Sequence, residues 1–179
     1  MKGMLFISFL DLVESQYGPD TLEVVLSEGT AENSGVYIAA GDYPHTELIA
    51  LIVSLSKHTG IEVSHLIKSF GMYHFAEFID AYPQLFTDLN SCFALLEKVD
   101  SFIHQEVRLL YPGATPPKFD YHRVNEDTIE LLYQSPRCMG DVAEGLILGC
   151  AAYYGEKIGI KRERHGDKSG ALERFTITR

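Results

Sequence analysis

The spacing of apolar residues changes from a helical to a strand pattern at Pro117. Before this proline, apolar residues recur every three or four positions over 93–110, which predicts an amphipathic helix. After it, apolar and polar residues alternate through 119–121 and 129–133, which predicts an antiparallel hairpin. A chain with both patterns has to pack helices against a sheet, so an all-helical or an all-strand fold is excluded.

Helical periodicity is also present nearer the N-terminus. One apolar stripe ends before Gly18, a second helix is predicted over 20–26, and a third stripe stops at Thr59 and Gly60. Two separate short helices are predicted on the two sides of Gly71, because a glycine often follows the last turn of a helix.

The last third of the chain adds one helix and one hairpin. Residues 140–157 are apolar and rich in small side chains, which predicts a buried helix, and 158–164 and 172–178 predict a second hairpin. At 179 residues the chain is predicted to be a single domain. The predicted fold class is α+β, with a helical N-terminal lobe of about 1–60. The second lobe, about 61–179, contains a four-stranded antiparallel sheet and helices.

The charge and the cysteines limit the kinds of partner and compartment. Asp and Glu number 25 against 15 Lys and Arg, which gives a net charge of −10. Such an acidic chain is not expected to bind nucleic acid or an anionic membrane, since both rely on Lys and Arg contacts. The three cysteines are scattered, and no apolar run has transmembrane length. We therefore expect a cytoplasmic protein.

His104 is a candidate metal ligand. It follows Ile103, which belongs to the apolar stripe of the predicted helix, so it lies at the edge of that stripe. An imidazole at the edge can lean toward a flat cofactor lying against the helix, and neutral imidazole is the usual axial ligand of haem iron. A core-boundary histidine that is hydrogen-bonded to a carbonyl would have the same position, so His104 alone leaves both interpretations open.

Tyr133, Ser135 and Arg137 form a candidate carboxylate site. Their spacing of two residues sends the three side chains to one side of an extended segment. Arginine can bind a carboxylate through two parallel N–H bonds, and the two hydroxyls can each donate one more. Haem propionates would suit such a site. The alternative is an ordinary strand end whose arginine pairs with a surface carboxylate, and Pro136 favours a strand end over a central position.

Taken together, these motifs resemble those of a known family. The chain opens with Met-Lys-Gly, continues through His104 to the segment YPGATPP, and then has YQSPR at 133–137. This order resembles the H-NOX family, the haem nitric oxide/oxygen binding domains of bacteria and of soluble guanylate cyclase. The resemblance covers essentially the whole chain, and Tyr-x-Ser-x-Arg after the histidine is its most specific motif. It implies haem b (iron protoporphyrin IX) held between the two lobes.

The resemblance also implies roles for individual residues. His104 matches the proximal iron ligand, and Tyr133, Ser135 and Arg137 match the propionate clamp. Pro117 matches the proline whose packing bends the haem out of plane in this family. Four further positions match the apolar lining of the family's pocket: Phe78, Leu146, Leu5 and Phe9. Each of these four could equally be an ordinary core residue.

Two positions bear on which gas is bound. Val142 falls where oxygen-binding members of the family carry a distal tyrosine. Valine offers no hydrogen bond to bound oxygen, whereas nitric oxide binds ferrous haem tightly without one, so NO is the expected ligand. His74 falls where oxygen-binding members have a polar partner for that tyrosine. It could donate to oxygen, ligate the iron or simply pack locally.

The function implied by the resemblance is that of a haem-based gas sensor. NO binding would break the bond between the iron and His104, and the two lobes would then shift relative to each other. The sequence has neither a kinase signature nor a nucleotide-binding glycine loop. We therefore expect no enzymatic activity and a partner in trans, either a histidine kinase or an enzyme that makes or degrades cyclic di-GMP.

Three other functions remain open at this point. A haem enzyme, peroxidase-like or NO-detoxifying, would need acid–base groups on the distal side of the haem, where His74 is the single candidate. An oxygen or haem carrier is disfavoured by the missing distal tyrosine. An interaction module without a cofactor would leave the combination of motifs unexplained.

Overall fold

The predicted α+β class is confirmed by the computed structural model, which describes residues 1–29, 35–165 and 171–179. The described residues form helices α1 (Gly3–Tyr17), α2 (Pro19–Glu28), α3 (His45–Thr59), α4 (Val63–Ala81), α5 (Cys92–Lys98), α6 (His104–Leu110) and α7 (Gly140–Tyr153). Its strands are β1 (Lys118–Arg123), β2 (Thr128–Gln134), β3 (Gly159–Arg164) and β4 (Leu172–Thr178). Most of the turn that joins the two strands predicted at 158–164 and 172–178 lies outside the described residues.

The ends of the first three helices follow from glycine and proline. Gly18 ends α1 with a φ of 85°, a value that side chains with a Cβ rarely adopt. Pro19 then opens α2, where its missing N–H has no helical partner to lose. Gly60 ends α3 in the left-handed conformation, with a φ of 73°. The predicted ends at Gly18 and at Thr59–Gly60 are therefore confirmed.

The prediction of two short helices around Gly71 is wrong, because α4 runs without a break from Val63 to Ala81. Gly71 lies where α4 crosses α7. A Cβ at Gly71 would lie 2.5 Å from the carbonyl oxygen of Val142, and one at Gly145 would lie 2.2 Å from that of Lys68. The glycine is thus required for close helix packing rather than for helix termination, which a local pattern cannot distinguish.

The predicted single helix over 93–110 is interrupted by a π-helical turn, Val99–Ile103, between α5 and α6. The N-cap of α5 is Ser91, whose side chain accepts a hydrogen bond from the N–H of Ala94. A π turn holds one residue more than an α turn, so it rotates everything that follows about the helix axis. His104 is the first residue after it.

The four strands form one antiparallel sheet in the order β1-β2-β4-β3. Both predicted hairpins are present, and β2 and β4 are the central pair. Along β2, Ile129, Leu131 and Tyr133 are buried while their neighbours are more exposed. This alternation places the apolar face of the sheet, and Tyr133 with it, toward the helices.

Two apolar clusters make up the core of the described residues. The first contains Phe6, Phe9 and Phe70 and is built from α1, α2, α3 and the first half of α4. The second contains Phe75 and Phe175 and joins the second half of α4 to α5, α7 and the sheet. Helix α4 therefore runs through both clusters. No helix in the described ranges is long and apolar enough to cross a membrane.

Candidate functional site

A cavity of about 260 Å³ lies where the two apolar clusters meet. All of the predicted site residues except Phe9 line it: Leu5, His74, Phe78, His104, Pro117, Tyr133, Ser135, Arg137, Val142 and Leu146. Phe9 lies one layer behind the wall. It is fully buried and packs edge-on against Phe70, with 5.6 Å between ring centroids, and Phe70 lines the cavity.

One of the two ring nitrogens of His104 has no hydrogen-bond partner in the described part of the chain. Its Nδ1 lies 3.3 Å from Oδ1 of Asp100, one turn earlier, and the N–H of Phe119 donates to the same oxygen at 3.4 Å. Burial lowers the pKa of His104 despite the opposing effect of Asp100, so the ring is neutral at pH 7. A neutral imidazole held at one nitrogen by a carboxylate is typical of metal-ligating histidines. Among the described residues no hydrogen bond uses Nε2.

Tyr133 lies near the end of β2, and Ser135 and Arg137 lie in the segment that follows this strand. All three side chains line the cavity. The Tyr133 hydroxyl accepts from the N–H of Met139 at 3.1 Å, and Ser135 Oγ accepts from the N–H of Arg137 at 3.2 Å. The guanidinium of Arg137 donates from Nη1 to the carbonyl of Thr115 at 2.7 Å and from Nη2 to its hydroxyl. Arg137 forms no ion pair with a described carboxylate, so it is not the surface pair of the alternative interpretation.

Lys2 and Asp42 lie at the same end of the cavity, and sequence reasoning missed both. Lys2 Nζ donates to Oδ2 of Asp42 at 2.7 Å and to the carbonyl of Ala40 at 3.1 Å. The hydrogen bond from Lys2 lowers the pKa of Asp42, and the charge of Arg137 contributes to the same effect. Two cationic side chains and the N-terminal ammonium therefore lie near one carboxylate. No signal in the sequence could have found Lys2, because it is 135 positions away from Arg137.

Pro117 lines the cavity together with His104 and the Tyr-Ser-Arg cluster. Proline has a fixed φ and no N–H, so this part of the wall is stiff and offers no donor. Phe119 follows, with its ring centroid 5.9 Å from that of His104 and 5.5 Å from that of Tyr133. The ring of Phe119 thus links the histidine to the strand end that carries the cluster.

The wall formed by α1, α4 and α7 is apolar around Leu5, Phe78, Val142 and Leu146. The close crossing of α4 and α7 at Gly145 brings the first turns of α7 against the cavity. Valine, leucine and phenylalanine side chains have no hydrogen-bond donor, so this wall cannot stabilise a polar ligand.

His74 is the polar exception on α4. Its Nδ1 lies 2.9 Å from Oγ of Ser8, and the Ser8 hydroxyl in turn donates to Oε2 of Glu77. Burial lowers the pKa of His74 to about 4, so the ring is uncharged at pH 7. Sequence reasoning singled out His74 but missed Ser8 and Glu77. The spacing of Glu77 three positions after His74 is a signal that could have found it.

The residues present fit a haem in both shape and chemistry. Nε2 of His104 is a neutral nitrogen without a described partner, which suits a metal bond. The adjoining walls are apolar, as a porphyrin face requires. The polar end has two cations and two hydroxyls, which suit carboxylates. A flat apolar macrocycle with a central metal and carboxylate side chains would satisfy all three.

Comparison with known proteins supports this fit. The family model described as haem-NO-binding matches residues 2–162. A search of curated proteins finds no match. Among solved structures, the chain is similar to the IWP-051-bound H-NOX from Shewanella woodyi in the Fe(II)CO ligation state. The two are 39% identical, with a TM-score of 0.86, and the match covers 100% of this chain and 94% of that one.

Two further solved structures share the fold. The Fe(II) unliganded H-NOX protein from K. algicida is 28% identical, with a TM-score of 0.91, and the match covers 99% of this chain and 96% of that chain. An H-NOX protein from S. oneidensis in the Fe(II)NO ligation state is 24% identical, with a TM-score of 0.90 over 99% of this chain and 98% of that one. The second likeness concerns the fold alone.

Proposed function

Because the chain belongs to the haem-NO-binding (H-NOX) family of haem-based gas sensors, we propose that it binds nitric oxide and thereby switches a separate signalling protein. The observation that carries this proposal is His104, a neutral imidazole with a carboxylate on Nδ1 and an Nε2 that has no partner among the described residues, at an apolar cavity. When bound there, haem supplies the ferrous iron that takes up the gas. His104 would hold that iron, and a change in this bond would be passed to the π turn and α6 that carry the histidine.

We propose that the cofactor is haem b, held without a covalent link. The sequence contains no Cys-x-x-Cys-His segment, which attachment of a c-type haem uses. Arg137, Tyr133 and Ser135 would bind the propionates, with Arg137 exchanging its bonds to Thr115 for bonds to a carboxylate. Pro117 would press on the edge of the macrocycle as a stiff, donor-free contact.

We propose that the gas is NO rather than dioxygen. Val142, Leu5 and Leu146 form an apolar wall without a donor, so dioxygen, which gains from a hydrogen bond, has no stabilising contact there. Among the described residues of this wall, His74 is the single acid–base side chain, and burial lowers its pKa to about 4. For that reason we also propose that the chain is not an enzyme.

The proposed switch depends on how His104 is held. It joins the π turn Val99–Ile103 to α6, and Asp100 in that turn binds both His104 and the first strand through Phe119. A pull or release at His104 therefore acts on the π turn, α6 and β1 together. The partner protein would recognise a second stable arrangement of this unit. We propose that this partner is a histidine kinase or an enzyme of cyclic di-GMP metabolism. All three cysteines are free, which suits the cytoplasm as the proposed compartment.

The experiment that tests the proposal is an absorption spectrum of the ferrous protein, recorded anaerobically, then with NO, then in air. Loss of the histidine bond with NO and no stable complex in air are expected. His104→Gly should lose the histidine-ligated spectrum and regain it with added imidazole, whereas His122→Gly, at an exposed position of β1, should leave it unchanged. A protein that retains its histidine bond under NO, or forms a stable oxygen complex, would contradict the proposal.

A further inference from the structure

A chain of three polar side chains connects α1 with α4 beside the apolar wall of the cavity. The Ser8 hydroxyl donates to Oε2 of Glu77, and Ser8 Oγ lies 2.9 Å from Nδ1 of His74. His74 lines both the main cavity and a second, more open pocket, and that second pocket is also lined by Ser8 and Glu77. The imidazole thus separates the two spaces, with its Nδ1 on the side of Ser8.

Counting protons along this chain determines which nitrogen of His74 carries its proton. A hydroxyl has one proton, and an ionised carboxylate can only accept, so Ser8 gives its proton to Glu77. Ser8 Oγ is then an acceptor toward His74, and Nδ1 must be the donor. Burial raises the pKa of Glu77 and Asp11 adds to the effect, whereas the hydrogen bonds from Ser8 and Tyr73 lower it and stabilise the ionised form that accepts from Ser8. Because His74 is uncharged at pH 7, it has no second proton to place on Nε2.

We propose that Ser8 and Glu77 hold His74 in the Nδ1–H tautomer, so that His74 presents an unprotonated Nε2 to the cavity and withholds a donor from dioxygen. Among the described residues no hydrogen bond uses Nε2 of His74, and its ring lies beside that of Phe70, with 5.8 Å between centroids. A histidine at a gas-binding cavity favours dioxygen only if it can donate. Here the single proton of the ring is on Nδ1, on the side of Ser8. His74 therefore offers no donor to dioxygen and selects against this gas.

The tautomer itself is tested by long-range ¹H–¹⁵N NMR of the haem-loaded protein in its diamagnetic carbonmonoxy form. His74→Gln identifies the signals of His74 by their absence. A protonated Nδ1 and an unprotonated Nε2 are expected. A protonated Nε2, or protonation of both nitrogens at pH 7, would overturn the proposal. The spectrum does not require NO to bind, so its result is independent of the proposed sensor function.

The consequence for gas binding, which rests on the proposed function, is tested with Glu77→Ala. Without the carboxylate, the Ser8 hydroxyl is free to donate to Nδ1, and the proton of His74 moves to Nε2. One hydrogen bond of ordinary strength then predicts a dioxygen affinity about tenfold higher. Asp80→Ala is the matched control, because Asp80 is an exposed carboxylate on the same helix with no described bond to Ser8 or His74, and it should change neither the tautomer nor the affinity.

Each outcome of the variant experiment is decisive. A shift of the proton to Nε2 together with tighter dioxygen binding supports the proposal. A tautomer that remains Nδ1–H in Glu77→Ala would show that Glu77 does not control it. A tautomer that shifts without any change in dioxygen affinity would show that His74 does not select against the gas. If NO fails to bind the wild-type protein while the tautomer is as expected, the sensor function is what fails.

Discussion

The protein should lose stability on mild acidification, and replacing His74 by Gln should remove a large part of this loss. In the folded protein, burial lowers the pKa of His74 from 6.5 to about 4. The part of the ring that protein atoms leave uncovered borders the main cavity and the outer pocket beside Ser8 and Glu77. The unfolded chain takes up this proton near pH 6.5, and the folded chain does not take it up until the pH is close to 4.

The sign and size of the effect follow from proton linkage. Between these two pKa values the unfolded state binds more protons, so stability is fully present above pH 6.5 and falls as the pH is lowered toward 4. At about 1.36 kcal/mol per pKa unit, the loss attributable to His74 is about 2 kcal/mol between about pH 7.5 and about pH 5. Glutamine cannot become charged, yet its amide can still donate to Ser8.

The assay is urea unfolding of the haem-loaded protein at both pH values, for wild type and for His74→Gln. The wild type should lose about 2 kcal/mol more than the variant on acidification. His58→Gln, an exposed histidine in the last turn of α3, is the control and should behave as the wild type. Equal losses for wild type and His74→Gln would refute the argument, because they would mean that the charged ring is tolerated in the folded state.

Three other contacts of the site and of the surrounding fold can each be weakened by one substitution. Asp100→Asn removes the charge that orients His104, so haem titration should show an affinity lower by about 10–100-fold, and an unchanged affinity would exclude this role for Asp100. Gly145→Ala places a Cβ 2.2 Å from a backbone oxygen of α4, and thermal unfolding should show a loss of about 1–3 kcal/mol or more. Glu173→Gln removes a fully buried charge that pairs with Arg162, and chemical unfolding should show a loss of about 3–5 kcal/mol; a loss below about 1 kcal/mol would mean that the pair is dispensable.

Outside the segments around Gly71 and the π turn Val99–Ile103, the sequence alone determined the order of helices and strands, both hairpins, and the candidate residues His104, Tyr133, Ser135 and Arg137. These features are local. Apolar periodicity reports which face of a helix or strand is buried, and a motif with spacing of two on a strand reports which side chains share a face. The place of Val142 at the cavity was implied by the family resemblance, and its lack of a donor follows from its residue type.

Only the tertiary structure decided which polar groups complete the site. Ser8 and Glu77 are 69 positions apart, and Lys2 and Asp42 are 40 apart, so no local pattern joins them. Gly71 continues its helix because another helix lies against it, and this contact is invisible in a segment read on its own.

The position of His104 after the π turn and the position of the proton on His74 both depend on partners that are distant along the chain. Asp100 accepts from His104 and from the N–H of Phe119 in a strand 19 positions away, a contact that holds the histidine at the cavity. Side-chain protons in a buried chain of hydrogen bonds are placed by the partners at both of its ends, and the fold brings those partners together. Local sequence therefore determines where a polar residue stands on its helix or strand, whereas its protonation and its partner depend on the packing of elements distant along the chain.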